Sequence, residues 1–174
     1  NDLIRAMPSI IKKHPKAKLI AIGEGNLKDR MLRLIKELSI EQSVIFAGAM
    51  SHKELPVYFS TADVFVLPSY SEGFGLAVAE AISCGTLAIT SNLKPINDII
   101  IENKTGFYFE SIEHKAISDK VIEVLSKQEQ IKHVIRKQGR KHVMEKFDWE
   151  IVSKNYEIAL SKLLPASNLD SHPF

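Results

Sequence analysis

Two carboxylates with seven residues between them, Glu72 and Glu80, flank a glycine-rich turn in the middle of the chain. The turn, Gly73-Phe74-Gly75, precedes an apolar run from Leu76 to Ser83 whose length and composition predict a helix. The first turn of a helix carries backbone N–H groups without intrahelical partners, and the aligned peptide dipoles make that end electropositive. The pattern therefore predicts an anion site at the turn, with a carboxylate on each side of it.

Glu80 is unusual because the helix around it is otherwise apolar, and such a helix is buried over most of its surface. A carboxylate in that position is costly unless hydrogen-bond donors satisfy it, and two hydroxyl groups of a ligand are suitable donors. Glycine at 73 and 75 permits a sharp bend and a close approach of a ligand to the backbone. Each glutamate alone is typical of a solvated residue, but their spacing around the turn favours one extended ligand with an anionic middle.

The segment around this turn resembles the Glu-x7-Glu signature of the retaining glycosyltransferases of family 4, which have the GT-B fold. The residues that carry the resemblance are Ala62-Asp63-Val64-Phe65-Val66-Leu67-Pro68-Ser69, Glu72-Gly73-Phe74-Gly75, Glu80-Ala81 and Cys84-Gly85. The resemblance extends over nearly the whole chain. It implies that Glu72 is the catalytic residue, that Glu80 binds the ribose hydroxyls of a nucleotide, and that the donor sugar and phosphates contact Glu72, Gly73, Phe74, Gly75 and Leu76.

Two further loops are implied to line the nucleotide side of the site. Gly23 and Gly25 follow a predicted strand, but the third glycine of the dinucleotide fingerprint is absent, so a tight strand-to-helix turn is an equally good interpretation. By resemblance this turn lies beside the nucleotide. Ala49, Met50 and Ser51 follow the next strand, and the resemblance implies that they lie near the nucleobase.

One later loop departs from the family pattern. Lys94 and Pro95 stand where the family usually has two glycines, and Asn97 and Asp98 stand where it has Pro-Glu. Because glycines there permit close approach to the donor or acceptor, we assign no donor or acceptor contact to this loop.

Strand and helix alternate along the chain, which predicts the elements that position the site. The predicted strands are 18–22, 43–47, 64–67, 87–90 and 107–109, and the predicted helices are 3–14, 27–38, 52–60, 76–83, 99–102, 112–126, 128–146 and 149–163. Ser51 and Glu54 have the spacing of a capping box, Gly85 that of a C-terminal cap, and Asp148 that of an N-cap. The order indicates an α/β fold: a Rossmann-like open parallel sheet with helices on both faces and a helical C-terminus. The resemblance implies that this is the C-terminal half of a GT-B fold.

Composition excludes several other classes of protein. The 174 residues are 45% hydrophobic and 25% charged, which is typical of a globular domain, and a net charge of +2 is too small to indicate nucleic acid as a partner. The single cysteine, Cys84, excludes an internal disulfide. We find no membrane-span pattern, no signal peptide and no cluster of metal ligands, and expect a cytoplasmic protein without metal or cofactor.

The helix 128–146 carries Lys132, Arg136, Lys137, Arg140, Lys141 and Lys146 opposite Ile131, Val134, Ile135, Val143 and Met144. A solvated basic face is the simplest interpretation. The alternative is contact with anionic lipid or a lipid-linked acceptor, which would make the protein peripheral at the inner face of the membrane.

The resemblance also implies a domain organisation. Residues 1–164 would be a nucleotide-sugar-binding domain that lacks its first strand, and 165–174 a disordered tail. The acceptor-binding N-terminal domain would be missing, together with the Arg and Lys that neutralise the diphosphate. We therefore expect a parent hexosyltransferase that uses UDP- or GDP-hexose for cell-surface glycan or glycolipid synthesis, and little turnover by this chain alone.

Three other functions use similar features. A glycoside hydrolase also needs two carboxylates, and would cleave simple glycosides without a nucleotide. A dehydrogenase would need the full glycine fingerprint and would bind NAD more tightly than UDP or GDP. A non-catalytic nucleotide-sugar-binding domain or subunit is the third, because the phosphate-neutralising cations are absent from this chain.

Overall fold

The computed structural model describes residues 1–163, so the predicted tail 165–174 lies outside the described residues. Helices and strands alternate, as predicted for an α/β fold. The elements are α1 (Asp2–Lys13), β1 (Leu19–Ile22), α2 (Lys28–Glu37), β2 (Val44–Gly48), α3 (Leu55–Thr61), β3 (Val64–Leu67), α4 (Leu76–Ser83), β4 (Leu87–Ser91), β5 (Phe107–Phe109), α5 (His114–Leu125), α6 (Glu129–Phe147) and α7 (Trp149–Ser161), with short 3-10 turns at Glu41–Ser43 and Ile96–Asp98.

All strand pairs are parallel, but the five strands form two sheets rather than one. β1 pairs with β2, and the second sheet has the order β3-β4-β5, with Leu67 opposite Thr90 and Ile89 opposite Phe107. All five residues of β4 are buried because the strand is paired on both edges and covered on both faces. Within each sheet the carboxyl ends of the strands therefore lie along one edge.

Two apolar clusters show that helices cover both faces of the second sheet, as predicted. The first cluster packs α1 and α5 against strands of both sheets, and its fully or nearly fully buried members include Ala6, Ile10, Leu87, Ile89, Phe107, Ile117 and Val124. The second packs α4, α6 and the segment 96–100 against the opposite face, and contains Val78, Ala79, Ile82, Ala88, Ile96, Ile99, Ile100 and Val143.

The helix predicted at 52–60 begins later, at Leu55. A helix starting at 52 would need the N–H of residue 56 to bond the carbonyl of residue 52, and Pro56 has no N–H. Half of the predicted capping box is present: the Glu54 carboxylate accepts the backbone N–H of Ser51 at 2.9 Å and its hydroxyl at 2.7 Å. Residues 52–54 form a turn that leads into the helix.

The short helix predicted at 99–102 is wrong. A 3-10 turn occurs earlier, at Ile96–Asp98, and the N–H of Ile101 is taken by the Thr105 hydroxyl at 2.7 Å. Because that N–H is bound to a side chain four residues later, it is not available for a helical bond to the carbonyl of residue 97.

The predicted division of α6 into a basic and an apolar face is confirmed for Lys137, Arg140, Lys141 and Lys146, which are exposed, and for Ile135 and Val143, which are buried. It is wrong for Lys132 and for the other three apolar residues. Lys132 is 8% exposed and pairs with Glu129 at 2.5 Å, whereas Ile131 and Val134 are about half exposed. The reason is the close approach of α6 to the turn at Thr105. The buried stripe of the helix is centred on its glycine and consists of Lys132, Ile135, Gly139 and Val143. Within residues 1–163 no helix has both the length and the apolar character needed to cross a bilayer.

Candidate functional site

The glycine turn leaves the carboxyl end of β3 and leads directly into α4. Gly75 is the N-cap of α4 and has φ +92°, a conformation that residues with a Cβ rarely adopt. A Cβ at Gly75 would lie 3.3 Å from Ile96 Cγ1 and 3.5 Å from Ile99 Cδ1. Gly73 has no positive φ and faces open space. Glycine at 75 is thus required by the fold, whereas glycine at 73 leaves room for a ligand.

Helix α4 presents its N-terminus at this turn. The carbonyl of Gly75 accepts the N–H groups of Val78 and Ala79 at 2.9 and 3.2 Å, while those of Leu76 and Ala77 have no backbone acceptor among residues 1–163. The side chain of Leu76 is 67% exposed. Free N–H groups at an exposed helix start are suited to an anion.

The other end of α4 is capped as predicted. Gly85 has φ +84°, its N–H donates to the carbonyl of Ile82 at 2.9 Å, and the N–H of Thr86 donates to that of Ala81 at 3.1 Å. This is the Schellman arrangement, which ends the helix after Ser83 and turns the chain into β4.

Glu72 is half-buried on the strand side of the turn. Its Oε1 accepts a hydrogen bond of 2.6 Å from the hydroxyl of Ser69, two residues after β3 ends. Among the described residues Glu72 takes part in no ion pair, so its second oxygen has no charged partner within residues 1–163.

Glu80 lies in α4, on the part of the helix that the core leaves open. Its neighbours Ala79 and Ala81 are buried, but the Glu80 side chain is 39% exposed, so it does not carry the burial cost expected from the apolar sequence around it. Its Oε1 lies 3.8 Å from Nδ1 of His52, in the loop after β2. The carboxylate is therefore directed toward that loop.

The predicted nucleotide-side loops lie next to each other. The N–H of Gly23 donates to the carbonyl of Gly48 at 2.8 Å, which joins the end of β1 to the end of β2. Ala49, Met50 and Ser51 follow, and the hydrogen bonds from Ser51 lower the pKa of the Glu54 carboxyl. His52 then reaches Glu80. This chain of contacts brings together the loops after β1 and β2 and helix α4.

Glu72 precedes the turn and Glu80 lies within α4 after it, and no hydrogen bond or ion pair among residues 1–163 joins the two side chains. Gly25 faces open space in the loop after β1.

Two open pockets lie elsewhere and include none of the predicted site residues. One lies beside α6 and is lined by Val134 and Gln138 among others, and one lies between α1 and α2 and is lined by arginines among others. No three His, Cys, Asp or Glu side chains in the described part of the chain are grouped to hold a metal ion.

Three contacts of the site were not predicted. Ser69 and Glu72 have the same Ser-x-x-Glu spacing as Ser51 and Glu54, and that spacing was a usable signal. His52 is not among the predicted site residues and its side chain is 91% exposed, yet its Nδ1 lies 3.8 Å from Glu80 Oε1. The packing of Phe74 on Phe147 has no signal in the sequence.

Comparisons with known proteins agree with this architecture. The sequence model of the family described as Glycosyl transferases group 1 matches residues 1–142. The uncharacterized glycosyltransferase MJ1607 of Methanocaldococcus jannaschii is 31% identical over 165 residues, which cover 92% of this chain and 42% of that protein. A GDP-mannose-dependent monoacylated alpha-(1-6)-phosphatidylinositol monomannoside mannosyltransferase of Corynebacterium glutamicum is 29% identical over 164 residues, 88% of this chain and 41% of that one.

Among solved structures, the C-terminal domain of a group 1 glycosyl transferase (LpcC) from Francisella tularensis superimposes with a TM-score of 0.76. It is 25% identical, and the match covers 85% of this chain and 78% of that one. This chain thus spans most of an isolated C-terminal domain, but only 42% and 41% of the length of the two relatives.

Proposed function

The chain belongs to the glycosyl transferases group 1 family, and from this membership we propose that it is the donor-binding domain of a larger hexosyltransferase. The parent enzyme transfers a hexosyl group from a nucleoside diphosphate sugar, such as UDP- or GDP-hexose, to an acceptor hydroxyl with retention of configuration. The observation that carries the proposal is the exposed N-terminus of α4, which follows Glu72 after the end of β3 and precedes Glu80 in the same helix.

In the proposed complex the diphosphate lies on the free N–H groups of the turn and of the α4 start. Glu72 contacts the donor sugar, and Glu80 accepts hydrogen bonds from the two ribose hydroxyls. The 39% exposure of the Glu80 side chain leaves it accessible to a diol. The base lies over the loop of Ala49, Met50 and Ser51, with Gly23 and Gly25 beside it.

The chemical requirement of the reaction is stabilisation of the leaving group. When the bond between the sugar and the diphosphate breaks, negative charge develops on the phosphate oxygens. The α4 dipole and the free amides are preorganised at that point and need no rearrangement. In the proposed mechanism a donor phosphate oxygen takes the acceptor proton, so no protein nucleophile is assigned, and no metal or further cofactor takes part.

The two-sheet arrangement supports a role within a larger protein. Leu19 of β1 and Val64 and Val66 of β3 pack on the same apolar cluster, yet β1 and β3 are not paired with each other among the described residues. We propose that one strand from elsewhere in the parent polypeptide pairs with both and completes the domain of residues 1–164. The acceptor-binding domain and the diphosphate-neutralising cations belong to the same missing part.

For the acceptor we propose a cell-surface glycan or glycolipid precursor. The Corynebacterium relative is described as acting on a phosphatidylinositol mannoside, which is a lipid-linked acceptor. The parent enzyme would then work in the cytoplasm, at the inner face of the membrane where such an acceptor is anchored.

The test is a titration of the 174-residue chain with UDP, GDP, ADP and their sugar derivatives, followed by amide chemical shifts. We expect one nucleotide family to bind, with the largest shifts at residues 73–80 and 49–52. The proposal would be overturned if no nucleotide changed the amide chemical shifts of these residues. It would also be overturned if NAD bound more tightly than every one of these nucleotides. Binding without any transfer by the parent protein would instead assign a non-catalytic nucleotide-sugar-binding role.

A further inference from the structure

We propose that Ser69 is a positioning residue that holds the Glu72 carboxylate in the orientation needed to contact the donor sugar. This inference rests on the proposed function and deepens it, because it names a group that acts on the donor only through Glu72. It starts from the 2.6 Å hydrogen bond between the Ser69 hydroxyl and Glu72 Oε1.

The Ser69 hydroxyl is carried by backbone whose position is restricted. Ser69 follows β3, whose last residue, Leu67, is opposite Thr90 of the fully buried β4. Pro68, between Leu67 and Ser69, restricts the backbone because its ring fixes φ. The hydroxyl is thus carried two residues beyond a strand that is paired with the buried β4, whereas Glu72 lies further along the loop that leads to the turn.

The bond is of the stronger kind because its acceptor is a carboxylate and the pair is partly shielded from water. This hydrogen bond occupies one oxygen of Glu72, Oε1, with a donor from the protein itself. The other oxygen, Oε2, has no charged partner within residues 1–163 and is left to accept a hydroxyl of the sugar.

Without the Ser69 hydroxyl, the Glu72 side chain would be free to populate other rotamers. The donor sugar would then have to order the carboxylate when it binds, which costs affinity. The nucleoside diphosphate alone does not reach Glu72 in the proposed complex, so its affinity should not depend on Ser69. The predicted signature is a loss that appears only when the sugar is present.

The experiment compares the dissociation constants of the nucleoside diphosphate and its sugar derivative for the 174-residue chain and its variants. We expect Ser69→Ala to weaken binding of the sugar nucleotide roughly fivefold to tenfold, which is the contribution of one hydrogen bond. The affinity for the nucleoside diphosphate should not change. Ser69→Thr retains a hydroxyl and should restore most of the affinity. Ser71→Ala is the matched control, because Ser71 is exposed on the same loop and forms no side-chain hydrogen bond within residues 1–163.

Three negative outcomes are distinguishable. If Glu72→Gln weakens the sugar nucleotide but Ser69→Ala does not, the positioning role is refuted and the donor site stands. If the unchanged chain does not bind the nucleotide or its sugar, the proposed function itself fails. An equal loss for both ligands in Ser69→Ala would show a general structural role and would also overturn the inference.

Discussion

Phe74, in the middle of the glycine turn, meets Phe147, the last residue of α6, edge to face, with ring centroids 5.4 Å apart and planes inclined at 72°. Phe147 in turn contacts His142 at 6.2 Å between ring centroids, and His142 Nε2 lies 2.9 Å from the carbonyl oxygen of Asp98. The side chains of Ile96 and Ile99 lie close to Gly75, since an added Cβ there would be 3.3 and 3.5 Å from them, so these isoleucines and the rings pack around the turn. The conformation of the site therefore depends on the junction between α6 and α7.

Removing the Phe147 ring should loosen the turn. We expect Phe147→Ala to lower the free energy of unfolding by about 1–3 kcal/mol, because the half-buried ring loses its aromatic partners and its packing on the second cluster. Sugar-nucleotide binding should weaken as well. Trp149→Ala is the control, since that ring is 80% exposed and lies just beyond the same junction. Urea denaturation and ligand titration measure both effects, and equal behaviour of the two variants would contradict the packing role.

Glu80→Gln should weaken binding of the nucleoside diphosphate and of its sugar derivative by the same factor, roughly tenfold, because the proposed contact is to the ribose that both ligands share. His52→Ala is a useful companion. The His52–Glu80 contact at 3.8 Å is exposed, and exposed ion pairs contribute little, so its removal should change affinity by less than about fivefold. A Glu80→Gln effect confined to the sugar derivative would place this carboxylate at the sugar instead of the ribose.

Gly139→Ala tests the close packing of α6. Alanine is normally favoured over glycine inside a helix by about 0.5–1 kcal/mol. Here the added Cβ would lie 2.8 Å from the carbonyl oxygen of Thr105 and 3.1 Å from Ile82 Cγ2, and a backbone oxygen cannot move aside cheaply. We therefore expect a net destabilisation of about 1–3 kcal/mol in urea unfolding. Gly25→Ala, which meets no atom within 4 Å, should be close to neutral; a stabilised Gly139→Ala would refute the clash.

Tyr108 should make stability depend on pH in the alkaline range. Burial, with a smaller contribution from the Glu102 and Asp98 carboxylates, raises the pKa of Tyr108 from 10.0 to about 12. Its hydroxyl also donates to the carbonyl of Ile100 at 2.6 Å. Between these two pKa values the unfolded chain releases the phenolic proton while the folded chain retains it, so the free energy of unfolding falls as pH rises from 10 toward 12.

The matched variant for that titration is Tyr108→Phe, which keeps the ring and removes the proton. It should be less stable than the unchanged chain below pH 10 because it lacks the hydrogen bond to Ile100, and its stability should fall less steeply above pH 10. Parallel pH profiles for the two proteins, measured by urea denaturation, would show that Tyr108 does not titrate in this way.

The 174-residue chain alone should transfer sugar at least about 100-fold more slowly than the parent protein. The reason is that the cations proposed to stabilise the diphosphate lie outside it, and loss of such groups costs this much or more. Turnover is measured with radiolabelled donor and the acceptor of the parent enzyme. Comparable turnover by the chain and the parent protein would show that the α4 dipole and the turn are sufficient.

The sequence by itself determined the local parts of the site. The bounds of α4, its cap at Gly85, the N-cap at Asp148 and the strand at Val64–Leu67 were all predicted, and the structure has them where expected. These features depend on hydrogen bonds and steric limits between residues a few positions apart, which a residue pattern records directly.

Only the tertiary structure decided which elements meet and how they are turned. The burial of Lys132 with exposure of Ile131 and the contact of Phe74 with Phe147 follow from packing between distant segments. The orientation of α6, for example, is set where Gly139 fits against Thr105, and helical periodicity alone does not contain that choice. The sequence places one carboxylate before a helix start and one after it, and the fold decides which side chains contact them. Ser69 contacts Glu72, and His52 contacts Glu80.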